Sequence, residues 1–110
     1  MSITHIVLFQ FKLEVTAEIV QDTCERMLAL KDKCVHHTSK QPYIKSTSGG
    51  KDNSPEGIQS GMTHAFIVEF ESAADRDYYV QSDPSHLAFV KTLDGLVEKV
   101  QVIDFTDGVL

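Results

Sequence analysis

From Met62 to Glu71 the chain alternates without a break. Met62, His64, Phe66, Val68 and Phe70 fall on one side, and Thr63, Ala65, Ile67, Glu69 and Glu71 on the other. A period of two is that of a strand with one face buried, and no helix accommodates it. The opening segment repeats the pattern: Ile3, His5, Val7, Phe9 and Phe11 share one face of a strand from Ile3 to Lys12, with Thr4, Ile6, Leu8, Gln10 and Lys12 opposite. The second face is itself half apolar, so this strand belongs in the middle of a sheet or under cover on both sides.

Helical spacing separates the strands. Thr16 stands at an N-cap with Glu18 behind it, and Ile19, Thr23, Met27, Leu30 and Cys34 follow as a stripe flanked by Val20, Cys24 and Val35. The stripe fades at His36-His37-Thr38-Ser39-Lys40, where two histidines at a helix C-terminus suit the dipole. Pro42 to Ser48, carrying Tyr43 and Ile44, reads as a short second strand. Gly49 to Gly61 reads as a polar, mobile connection. Its Gly49-Gly50-Lys51 lacks the spacing and the following helix of a phosphate loop.

After the third strand, Ser72 caps a helix with Asp75 at its third position, carrying Ala74, Tyr78 and Tyr79. That helix stops before Pro84, and Asp83-Pro84 starts another whose expected buried stripe is Leu87, Val90, Leu93 and Val97. A last strand, Lys99 to Thr106, sets Val100 and Val102 against Gln101, Ile103 and Phe105. The order β-α-β-β-α-β is the ferredoxin-like α+β arrangement, one domain in 110 residues, with the helices on one sheet face. The other face keeps Ile6, Leu8, Ala65, Ile67 and Ile103, too apolar for water, which points to a homodimer joined through the sheets.

Charge and cysteine usage narrow the partners. Ten basic against sixteen acidic residues give −6, a surface that repels nucleic acid and anionic membranes. No apolar run approaches the ~20 residues of a membrane span, and no basic–apolar leader is seen, so a cytoplasmic protein is expected. Cys24 and Cys34 lie on one predicted helix, roughly 15 Å apart at 1.5 Å per residue, too far for a disulfide. Neither Cys-x-x-Cys nor His-x-x-x-His occurs, so neither a metal nor a cofactor is expected.

Three histidines stand where chemistry is possible. His5 and His64 each open an apolar strand face, and both would line a space beneath the helices. His86 is the third residue of a helix capped by Asp83; the positive dipole end and the adjacent Leu87 and Phe89 favour its neutral form, as a general base requires. Tyr78 could donate its hydroxyl to a developing oxyanion, with Tyr79 competing for the role. Each of these groups also has an ordinary structural reading, as a satisfied core histidine, a capping-turn histidine or a core tyrosine.

Thr4-His5-Ile6-Val7-Leu8-Phe9, Thr63-His64-Ala65-Phe66-Ile67-Val68-Glu69-Phe70, Asp77-Tyr78-Tyr79-Val80 leading to Asp83-Pro84-Ser85-His86, and Ile103-Asp104-Phe105 together resemble the stress-responsive dimeric A/B barrel family. The resemblance covers nearly the whole chain. It implies a homodimeric α+β barrel with a cavity between sheet and helices in each subunit. Some members are stress-induced proteins of unclear biochemistry, and one is a cofactor-free plant polyketide cyclase. The resemblance to that enzyme makes His86 the base and Tyr78 its catalytic partner. His5 and His64 become pocket histidines, and Val7, Phe9, Met27, Phe66 and Tyr79 substrate-contacting residues.

This chain departs from the cyclase in a longer spacing between Tyr78 and His86, in Met27 where the cyclase has a pocket tyrosine, and in the bulk of Phe9 and Phe66. The expected activity is therefore a cofactor-independent lyase or cyclase acting on a polyketide-like or phenolic small molecule. A non-catalytic ligand-binding homodimer and a monooxygenase of the same barrel type are the alternatives.

Overall fold

The computed structural model describes residues 1–110. Four antiparallel strands, β1 (Ile3–Phe11), β2 (Ile44–Lys51), β3 (His64–Phe70) and β4 (Val97–Phe105), form one sheet in the order β2-β3-β1-β4. Three helices, α1 (Ala17–Lys33), α2 (Ala73–Gln81) and α3 (Pro84–Thr92), complete the ferredoxin-like arrangement. The molecule is only 18 Å along its shortest axis, which is two layers, so one sheet face has nothing over it.

The central position of β1 follows from its two half-apolar faces. Ile3, His5, Val7, Phe9 and Phe11 are buried and the residues between them half-buried. The caps lie where the sequence places them. Thr16 Oγ1 accepts from Ile19 N, Ser72 Oγ from Asp75 N, and Asp83 Oδ1 from Ser85 N and His86 N, with Pro84 in the first turn of α3. On α1 the inward face is Thr23, Met27 and Leu30; Cys34 is the C-cap rather than a helical residue, and Ile19 and Val35 are exposed.

Two expectations about boundaries are corrected. The Gly-Gly-Lys segment is strand, not connection: Gly49, Gly50 and Lys51 pair with Phe66, Ala65 and His64. Gly49 is needed there because a Cβ would stand 2.3 Å from Phe66 Cδ1 and 2.6 Å from the Ala65 carbonyl; the Phe66 ring occupies that side-chain space. On α3 the buried residue is Phe89, followed by buried Leu93 at the C-cap, whereas Leu87 and Val90 are exposed and Val97 belongs to β4. The helix turns Phe89 towards α1, where the Arg26 guanidinium lies 5.6 Å from its ring centroid and Arg26 Nη1 donates to Thr92 Oγ1.

Gly49→Ala should lower unfolding free energy by about 1–3 kcal/mol in chemical denaturation, the range for overpacking a filled site. Adding Phe66→Leu should recover part of that loss. A Gly49→Ala protein as stable as the wild type would contradict the close approach.

Candidate active site

Three helices and two strands enclose a cavity of about 520 Å³ on the covered face of the sheet. β1 supplies His5, Val7 and Phe9, α1 supplies Met27, and β4 supplies Val100, Val102 and Asp104. Arg76, Tyr79 and Val80 enter from α2, and His86, Phe89, Val90 and Leu93 from α3. Val100 and Val102 are about half exposed, so the cavity opens between β4 and the helices.

His86 and Tyr79 form its inner wall. Asp83, 1% exposed, caps α3 and accepts a 2.6 Å hydrogen bond from Tyr43 Oη, which anchors the turn that aims His86 inward. The His86 ring stacks on Tyr79, centroids 3.9 Å apart and 30° between planes. Burial pushes the imidazole below the ordinary histidine range; a backbone contact from Tyr79 opposes this in part, and His5 adds to it. Burial likewise raises the Tyr79 phenol, so its proton stays on. His86 Nδ1 and Tyr79 Oη are both buried and have no hydrogen-bond partner. Buried polar groups are nearly always paired, and each unpaired one costs about 1–3 kcal/mol.

Beside them, with the His5 ring edge-on to Tyr79 at 5.9 Å, lies a charged chain. His5 Nδ1 is 2.6 Å from Asp104 Oδ1, and Arg76 Nη1 donates to Asp104 Oδ2 at 2.8 Å. Arg76 Nε donates to Asp77 Oδ1, also at 2.8 Å. In a neutral His5 ring, Nδ1–H donating to the Asp104 carboxylate leaves Nε2 as the acceptor.

Residues 3–107 match the family described as Stress responsive A/B Barrel Domain. The chain belongs to the stress-responsive A/B barrel family. It is 30% identical to stress-response A/B barrel domain-containing protein HS1 of Arabidopsis thaliana, over 94% of this chain and 87% of that protein. It is 26% identical to olivetolic acid cyclase of Cannabis sativa, over 96% of this chain and 97% of the cyclase. Two solved structures share the fold at lower identity. One is a hydroxynitrile lyase from Passiflora edulis, with TM-score 0.80 and 24% identity, covering 99% of this chain and 96% of that one. The other is a dimeric ferredoxin-like protein of unknown function from Bacteroides fragilis, with TM-score 0.62 and 24% identity, covering 94% of each chain.

In this A/B barrel chain the expected site residues are not all brought together. His5, Val7, Phe9, Met27, Tyr79 and His86 share the cavity. Tyr78 does not: successive helical residues point about 100° apart, and Tyr78 packs outside against His36, His37 and Tyr43, with centroids 4.7, 5.0 and 5.4 Å away. His64 is also elsewhere. It pairs with Phe9 while His5 pairs with Val68, so the antiparallel register separates the two histidines by four residues along β1, about 14 Å. His64 sits edge-on to Phe11 at 5.0 Å with its Nδ1 2.9 Å from Thr63 Oγ1; burial and, secondarily, Lys51 lower its pKa. Phe66 is core, 1% exposed, packed on Phe9 and over Gly49.

Asp104 and Arg76 were not singled out for the site by sequence reasoning. The signal for Asp104 is a carboxylate continuing the Val100/Val102 face; for Arg76 there is none without knowing that α2 brings its guanidinium within reach of β4. Cys34, fully buried, has its thiol pushed up to about 12 by burial and by Asp83, so it is protonated and inert. No group of three or more His, Cys, Asp or Glu side chains is placed to hold a metal ion, and no helix is long and apolar enough to cross a membrane.

Proposed function

We propose that this A/B barrel protein is a cofactor-independent lyase or cyclase acting on a polyketide-like or phenolic carbonyl compound. The observation that carries the reading is one apolar-walled cavity in which the His86 ring, driven towards its neutral form by burial, stacks on Tyr79, with His5 edge-on to the same tyrosine. Neutral His86 takes a proton from the carbon alpha to a carbonyl, the electron pair moves onto the carbonyl oxygen, and Tyr79 Oη donates to that oxygen. Of the two adjacent tyrosines, Tyr79 is the one among the cavity-lining residues, which supports it rather than Tyr78 for this role. His5, held by Asp104, orients a second oxygen through Nε2. In the aldol step the enolate carbon then attacks a second carbonyl carbon of the compound, forming the carbon–carbon bond as that carbonyl's π pair becomes an alkoxide, which takes the proton back from His86. The similarity to olivetolic acid cyclase over nearly both full lengths supports this class of chemistry.

The subunit is proposed to pair with a second copy through the uncovered sheet face. There Ile67, Ile103 and Phe105 are 40%, 54% and 44% exposed beside half-buried Ile6 and Leu8. Unpaired cysteines support a reducing, cytoplasmic setting.

Proton abstraction is testable without the natural substrate, by NMR of deuterium exchange alpha to the carbonyl of benzylacetone. The wild type should accelerate exchange, His86→Gln should reduce the acceleration about 10²-fold or more, and Tyr79→Phe should reduce it while Tyr78→Phe does not. The base works unprotonated, and burial lowers its pKa, so the acid limb of the pH–rate profile should have its midpoint below 6.5. Acceleration that survives His86→Gln would remove His86 from the mechanism. Separately, Ile103→Glu should convert a dimer to a monomer in sedimentation equilibrium; a monomeric wild type would contradict the pairing.

A further inference from the structure

The charge in the cavity is gathered at one end and is one-sided. Arg76 is the only lysine or arginine in its wall. Both ordered contacts of that guanidinium go to carboxylates, Nε to Asp77 and Nη1 to Asp104, at 2.8 Å each. Asp104 gives its other oxygen to His5. One cation therefore faces two anions, and with neutral imidazoles this end carries a net −1. Protonating His5 would bring it to zero, never positive. His86, on the far side of the Tyr79 ring that both histidines contact, is pushed towards its neutral form by burial. Val7, Phe9, Met27, Phe89 and Leu93 make up much of the remaining wall, so the charged groups, with Arg76 and Asp104 about a quarter exposed and Asp77 about half, sit where an apolar cavity meets solvent.

We infer that the cavity accepts uncharged carbonyl or hydroxyl compounds and rejects carboxylates of the same shape. Asp104 and Asp77 set that selectivity by occupying Arg76. The inference deepens the reading of this cavity as a ligand site and rests on it. An entering carboxylate would meet two like charges, and its natural partner, the guanidinium, is already engaged. A neutral ketone meets no such repulsion. The same arrangement explains why an arginine at the mouth of the site does not make it an anion site.

Benzylacetone and hydrocinnamate are nearly isosteric, differing in a methyl ketone against a carboxylate, and their binding can be compared by NMR titration at pH 7.5. The wild type should bind benzylacetone at least about tenfold more tightly. In Asp104→Asn, which releases Arg76 and removes a negative charge, the ratio of the two dissociation constants should move at least about fivefold towards hydrocinnamate. Asp77→Asn, at a more exposed position, should move it the same way by less, and it serves if Asp104→Asn folds poorly. Hydrocinnamate binding as tightly as benzylacetone in the wild type, or a ratio unmoved in both variants, would overturn the inference. Failure of both probes to bind would instead overturn the ligand-site reading itself.

Discussion

Asp104 accepts from two directions, His5 on the neighbouring strand and Arg76 on the helix above, and the shape of the site depends on that double contact. The β1–β4 ladder sets Asp104 directly opposite His5, so the pairing register itself delivers the carboxylate to the imidazole. Arg76 then carries the connection across the open side of the cavity. A slip of one residue in this ladder would send Asp104 to the uncovered face and leave His5 buried without its partner. The mouth, the tautomer of His5 and the charge of the polar end all follow from one register.

The wall around His86 is built on a different principle. There the capping of α3 by Asp83, braced by Tyr43, fixes the direction of His86, and stacking on Tyr79 fixes its plane. His86 Nδ1 and Tyr79 Oη, both buried, have no hydrogen-bond partner. A core that existed only for stability would be better served by apolar side chains at both places, since unpaired burial of a hydroxyl and an imidazole nitrogen is a cost with no return.

Much of the fold was legible because its signals are local. Period-two alternation marked β1 and β3, and Thr16, Ser72 and Asp83 marked three helix starts by the chemistry of their own side chains. What could not be read was non-local. His5 and His64 look equivalent in the sequence, each heading an apolar row, yet antiparallel pairing sends equivalent positions to opposite ends. Gly49 looks like a turn residue until Phe66 is known to need its space. Tyr78 and Tyr79 differ by one helical step, and only the packing of α2 on the sheet decides which enters the cavity. Asp104 gains its meaning only from the strand beside it.

The central claim is that His5 and His86 share one ligand cavity and that the remaining histidines do not. Long-range proton–nitrogen correlation spectra of all five imidazoles, recorded during a benzylacetone titration, test it directly. The ring nitrogens of His86 and His5 should shift together with one saturation curve, while those of His36, His37 and His64 stay in place. Shifts at His64 with His86 unmoved would place the ligand at the far end of β1 and contradict the account.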